Sequence, residues 1–248
     1  MVRSESPSCC CPTCEVRPAS LRLNHARMPE SVTHLPALLT PVGEPPEDIG
    51  SAHPMRQITE AVADDPLSWT PQVAQQVAGF FDEMAEGWAA SQSRGRGQEV
   101  LQDLLSRSEL PTGVVVELGA GTGSGTALLQ QHFEQVIAGD LSAEMLKRLP
   151  KELGQRVQLD SSALPFATGA VSVLACVNMM LFADEVVRVL AADGALIWVN
   201  SIGDRTPIHL SAERIAHALP AQFEVTASTA NWGTWVLARS RMKESRLS

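Results

Sequence analysis

Positive charge is scarce in this sequence. Lys and Arg total 19 against 28 Asp and Glu, giving a formal net charge of −9, and only three of the cations are lysine. A protein that grips a nucleic-acid backbone through many phosphates carries a basic face, so no nucleic-acid partner is expected. Long apolar runs are lacking too. The longest uncharged one, Thr168 to Ala183, contains Ser172 and Asn178 and falls short of the ~20 residues that span hydrocarbon, so no membrane association is expected. Met1 to Cys14 is polar and cysteine-rich, unlike the basic-then-apolar pattern of a secretory signal. Four of the five cysteines sit at Cys9, Cys10, Cys11 and Cys14, with only Cys176 elsewhere. A secreted disulfide scaffold would spread them through the fold, so a reducing, cytoplasmic setting is expected. Cys11-Pro-Thr-Cys14 has chelating spacing but no second pair follows, and no metal is expected.

The 248 residues, 44% hydrophobic and 19% charged, suffice for one packed domain with tails. Residues 1–54 hold nine of the 16 prolines and show no sustained periodicity, which predicts a disordered, cysteine-containing extension. Thr70-Pro71 is a helix start, with Thr as N-cap and Pro at the first helical position. Val73, Val77, Phe80 or Phe81, Met84 and Trp88 then recur every three or four residues, and a second stripe follows at Val100, Leu101, Leu104 and Leu105. Residues 69–110 are therefore expected as N-terminal helices. From Val114 short apolar runs alternate with helical stretches, through Val171–Val177 and Ala195–Val199 to Glu224–Ala227 and Thr234–Ala238. That alternation predicts an α/β domain over 111–241, a mostly parallel sheet with helices on both faces. Ser228–Gly233 is too short for a crossover helix, so the last two strands should form an antiparallel hairpin.

The stretch that carries chemistry is Val114-Val-Val-Glu117-Leu-Gly119-Ala-Gly121-Thr-Gly123-Ser-Gly125. Alternating glycines allow a tight turn and a close approach of backbone to ligand. A P-loop needs a lysine that this segment lacks, and the dinucleotide fingerprint needs glycine at Ser124 or Thr126. What remains is Glu-x-Gly-x-Gly-x-Gly, whose acid points to a ligand bearing positive charge. Asp140 ends the next strand, 23 residues on, where a carboxylate can accept both hydroxyls of a ribose, while Ser142 serves as the helix cap. Asp160, followed by Ser161, ends the third strand and can accept an exocyclic amine. All three acids fall at carboxyl ends of strands, where open α/β sheets bind ligands.

From about Phe80 to Arg239 the chain resembles the class I S-adenosylmethionine-dependent methyltransferases, in particular the type 11 domain. The matching pieces are Glu117-Leu-Gly-Ala-Gly-Thr-Gly123, Gly139-Asp-Leu-Ser-Ala-Glu-Met-Leu146, Asp160-Ser-Ser-Ala-Leu-Pro-Phe166 and Glu185-Val-Val-Arg-Val-Leu-Ala-Ala-Asp-Gly194. Phe80-Phe-Asp-Glu-Met-Ala-Glu-Gly-Trp88 is similar to the helix that precedes the sheet in many members. The resemblance implies a Rossmann-like seven-stranded sheet of order 3-2-1-4-5-7-6. It assigns Glu117, Gly119, Ala120, Gly121 and Gly123 to the methionine part of S-adenosylmethionine, Asp140 to the ribose, and Asp160 with Ser161 to the adenine, on which Leu141 would pack. Asn178-Met-Met-Leu lacks the Pro-Pro-aromatic continuation of members that methylate amino groups of nucleic-acid bases or glutamine, which argues against such substrates. The cover over the acceptor would come from the N-terminal helices and the Ser201–Leu210 loop.

Displacement at a sulfonium has an activated leaving group, so positioning and desolvation dominate and no motif marks a catalytic residue. His209 and Asn178 are the candidates within reach of the ligand edge, each with a plainer reading as a loop or capping residue. The expected function is methyl transfer to a small-molecule acceptor. The alternative is a non-catalytic S-adenosylmethionine- or S-adenosylhomocysteine-binding regulatory or scaffolding protein on the same fold.

Overall fold

The computed structural model describes residues 32–92 and 97–241. In chain order these form β1 (Thr33–His34), α1 (Pro54–Asp64), α2 (Pro71–Gln92), α3 (Gln98–Arg107), β2 (Val114–Leu118), α4 (Ser124–Leu129), β3 (Gln135–Asp140), α5 (Ala143–Arg148), β4 (Gln155–Gln158), β5 (Val171–Val177), α6 (Ala183–Val189), β6 (Leu190–Asn200), α7 (Ala212–Ala218), β7 (Phe223–Ala230) and β8 (Gly233–Ser240). The Cys9–Cys14 cluster lies outside the described residues.

The strands arise where apolar runs meet β-branched residues, and their two faces are sorted by the period of two. Val116, Leu174, Leu196 and Val236 pack with Val186, Val189 and Ile215 of α6 and α7. Their immediate neighbours Val115, Ala175, Ile197 and Trp235 pack on the other face with Leu101, Leu104 and Leu105 of α3. A sheet buried on both sides needs continuous apolar strands, which is what these runs are. The helices begin where short polar side chains take up free N–H groups: Thr70 accepts from Val73, Ser142 from Met145 and Ser211 from Arg214.

The sheet has eight strands in the order β1-β7-β8-β6-β5-β2-β3-β4, with β8 antiparallel to β6 and β7 and all other pairs parallel. Counting from β2, strands β2 to β8 reproduce the expected order and hairpin. The eighth strand departs from the expected seven. Thr33 and His34 add to the free edge of β7, and Leu35 donates to Ala227 O at 2.8 Å.

The expectation of a disordered extension through residue 54 therefore fails from residue 32 onward. The arm that follows β1 has no periodicity because its polar backbone is satisfied one group at a time by distant residues. Arg107 donates to Pro36 O, Asn231 N–H to Leu39 O, the Trp232 indole to Val42 O and Arg205 to Pro46 O. Trp232 is half-buried at the hairpin turn and holds this arm. Ordered structure also starts earlier than Trp69: α1 precedes it, capped by His53, and packs Met55 and Val62 against Met180, Phe182 and Ile208. No helix among the described residues is long and apolar enough to cross a membrane.

Candidate functional site

Parallel pairing of β2 with β3 and β3 with β4 brings Glu117, Asp140 and Asp160 to one edge of the sheet. Between β2 and α4 the chain turns through Gly119, Gly121 and Gly123 with φ of 73°, 55° and 94°, the left-handed region that a side chain disfavours. Gly125 is needed for another reason: a Cβ there would collide with Glu117 Oε1. The loop's early amides are used within the fold. Gly119 and Ala120 donate to Gly139 O, Gly121 donates to Asp140 Oδ2 at 2.7 Å, and Gly123 donates to Ala120 O. The loop therefore does not present a ring of free amides at these positions, as a phosphate cradle would.

The acids differ in setting. Glu117 is almost fully buried and accepts from Thr126 Oγ1 at 2.5 Å. Burial, only partly offset by that bond, pushes its pKa up to about 8. Asp140 is also buried, and burial lifts its pKa although the N–H groups of Ser142 and Gly121 counter the rise. Ser142 Oγ in turn donates to Asp82 of α2 at 2.5 Å, which ties that helix to the base of the cleft. Asp160 accepts from Ser162 N–H at 2.8 Å and, on both oxygens, from the indole of Trp69 at 3.1 Å. Trp69 stands edge-on to Phe182, ring centroids 5.4 Å apart.

These residues border one cavity of about 300 Å³. Glu117, Gly119, Ala120, Gly121, Asp140, Leu141, Asp160 and Ser161 all line it. Gly123 does not; it packs against Leu149 and serves the turn alone, while Thr122, Ser124 and Gly125 take its place in the lining. The far side of the cavity is apolar, built by Val77, Phe80, Phe81 and Met84 of α2, by Met179, Met180 and Phe182 after β5, and by Ile208. Trp88 lines it as well. Of the two N-terminal helices only α2 covers the site; α3 packs on the opposite face of the sheet, and α1 with residue 49 supplies the remaining cover. The Ser201–Leu210 segment contributes Ser201, Ile202, Thr206, Pro207 and Ile208.

The two catalytic candidates are placed differently. Asn178, at φ 51°, donates from its amide to Ser201 Oγ at 2.9 Å and accepts from Ser201 N–H at 2.8 Å, clamping the ends of β5 and β6 together. His209 lies outside the lining. Its Nδ1 is 3.5 Å from Arg56, and burial first, then that guanidinium, lowers its pKa. Among the lining residues that went unrecognised in the sequence are His53 and Trp69. His53 stands in the proline-rich stretch, and only its role as a cap before Pro54 was open to reading.

Among the described residues the lining holds three carboxylates and no lysine or arginine. Such a set of acceptors suits a cationic ligand with hydroxyls and an amine, and it disfavours a diphosphate.

Residues 116–198 match the family model described as a methyltransferase domain. Residues 116–198 thus form a methyltransferase domain, on a fold shared with S-adenosylmethionine-dependent methyltransferases. Its fold is similar to that of DhpI in complex with SAH (S-adenosylhomocysteine), at 16% identity, 68% and 98% coverage of the two chains and a TM-score of 0.58. It is similar to the [4+2]-cyclase SpnF at 16%, 68% and 97% coverage and 0.55. A SAM-dependent methyltransferase from Aquifex aeolicus aligns at 15%, 61% and 98% coverage and 0.51. No curated protein matches the sequence. The cofactor of this domain is S-adenosylmethionine, and the acid-lined cleft fits it.

Proposed function

We propose that the protein transfers a methyl group from S-adenosylmethionine to a small-molecule acceptor. The observation that carries this reading is one continuous cavity, acid-lined at the sheet edge and apolar beneath α2. Glu117 would face the methionine end, Asp140 the ribose, and Asp160 with Ser161 the adenine, with Leu141 against its face. S-adenosylmethionine held there would supply an activated methyl on its sulfonium, to be taken by an acceptor lone pair with the carbon–sulfur electron pair left on sulfur. The chain's own contribution is to align the acceptor and exclude water. Phe81, Met84, Met179 and Phe182 form apolar walls, and the sulfonium charge is dispersed over the reacting atoms during such a displacement, which a low dielectric favours.

Titration with S-adenosylmethionine and S-adenosylhomocysteine tests the first step, and absence of binding overturns the reading. Asp140→Asn should weaken both by roughly tenfold or more, the scale of a hydrogen bond to a charged group, with an unchanged circular dichroism spectrum. Release of S-adenosylhomocysteine from protein incubated with S-adenosylmethionine and a metabolite extract separates an enzyme from a binder. The second reading, a cofactor-binding protein without methyl transfer, draws support from the fold shared with a [4+2]-cyclase.

A further inference from the structure

The cover of the cavity contributes mostly hydrocarbon, and one of its side chains stands apart. Residues 49–88 line the chamber with aliphatic and aromatic groups, and His53 is the one titratable side chain they bring to it among the described residues. Trp69, which has an indole N–H to offer, has placed it on Asp160. Across the cavity, the amide of Asn178 is engaged with Ser201, and Thr206 Oγ1 accepts from Ile202 N–H. His53 is held in a fixed pose. Its Nδ1 accepts from Met55 N–H at 3.2 Å as the N-cap of α1, and its ring stands edge-on to Phe80, centroids 5.9 Å apart.

That cap decides what the imidazole can do. An Nδ1 that accepts carries no proton, so the neutral ring bears its proton on Nε2 and is a donor there. As it stands, His53 is not a base toward the cavity. An anionic partner for it is disfavoured by the carboxyls of Asp140 and Asp160 in a lining that holds no lysine or arginine.

Resting on the methyltransferase reading, we propose that the acceptor is a mainly apolar, ring-containing small molecule with a neutral oxygen, and that His53 Nε2–H donates a hydrogen bond to that oxygen. The aromatic walls select the ring, because Phe80 and Phe81, themselves edge-on at 5.3 Å, offer faces and edges for a further aromatic contact. The imidazole selects the oxygen and fixes its orientation, since a buried donor left without a partner penalises an analogue that lacks it. His53 thereby sets specificity rather than moving a proton.

The test uses two isosteric probes, acetophenone and its oxygen-free counterpart α-methylstyrene, titrated into the full chain saturated with S-adenosylhomocysteine. His53→Asp keeps an N-cap acceptor for α1 but removes the donor, and His53→Asn keeps both. The expected result is that His53→Asp weakens acetophenone by roughly three- to tenfold and leaves α-methylstyrene unchanged, while His53→Asn restores most of the loss. Equal effects on both probes, no effect on either, or failure of acetophenone to bind the loaded wild-type protein would overturn the proposal. Failure of S-adenosylhomocysteine itself to bind is a separate outcome, which overturns the methyltransferase reading on which this one rests.

Discussion

Trp69 joins two parts of the chain that the sequence keeps 91 residues apart, and its contact occupies a carboxylate proposed for the cofactor. Its single N–H is shared between both oxygens of Asp160. If Asp160 receives the adenine, the indole and the amine draw on the same two oxygens. Trp69→Phe keeps the edge contact with Phe182 and removes the competitor. We expect it to bind S-adenosylhomocysteine several-fold more tightly than wild type by calorimetry, the scale set by one hydrogen bond to a carboxylate. Weaker binding would show that the indole adds to the ligand's own contacts. Asp160 was legible in the sequence because an acid at a strand end is a local pattern. Its partner was not, since a tryptophan in a turn carries no sign of which distant group it faces.

At the scale of elements, the N-terminal arm and α1 are held by arginines from the segments after β6. Arg205 reaches Pro46 O, Arg214 pairs with Asp64 at 2.6 Å and donates to Glu60 O, and Arg56 of α1 donates back to the Asp204 and Thr206 carbonyls. Gly50 makes this docking fit, because a Cβ there would sit 2.5 Å from the Arg205 and Thr206 carbonyl oxygens. Backbone cannot yield as a side-chain tip can. Gly50→Ala should therefore destabilise by about 1–3 kcal/mol, read as a lower melting temperature. Gly79→Ala, in the body of α2 with open space around it, should stabilise by up to ~1 kcal/mol. A loss of stability in the second variant, or none in the first, would refute this account of the arm. In the matching motifs, Glu185 and Arg188 of α6 likewise act together. Glu185 accepts from Leu164 N–H at 2.6 Å, and Arg188 donates to the Leu164 and Phe166 carbonyls, fixing the loop after β4.

Across the whole molecule, two acids with opposite shifts shape stability against pH. Glu117, raised from 4.5 to about 8, holds a proton in the folded state that the unfolded chain gives up. Its contribution is complete below the ordinary value and is lost as pH climbs through 8. Asp140 is shifted in the same direction. For Glu185 burial works upward, but its bonds to Arg188 and Leu164 win and lower the pKa, so its contribution is lost as pH falls. Stability should peak in the weakly acidic range. Thermal melts from pH 5 to pH 9 should show a falling midpoint for wild type and a flatter profile for Glu117→Gln, which keeps an oxygen for the Thr126 hydroxyl. An identical slope in both would remove Glu117 as its source.

The alternation of strands and helices, the terminal hairpin and the acid-bearing strand ends were decided by sequence alone, because apolar runs, turn glycines and strand-terminal carboxylates are properties of neighbouring residues, whereas the strand order followed only from the family resemblance. The glycine loop announced its backbone path for the same reason. Tertiary structure alone decided the eighth strand, the docking of residues 35–50 and the admission of His53 and Trp69 to the cavity. Those features depend on hydrogen bonds between segments far apart in the chain, and an extended, proline-rich arm has no periodicity to reveal which surface will satisfy it. The sequence thus carries the acid-bearing edge of the cleft and the α2 stripe that faces it, and the cover from residues 49–69 exists only once the arm is docked.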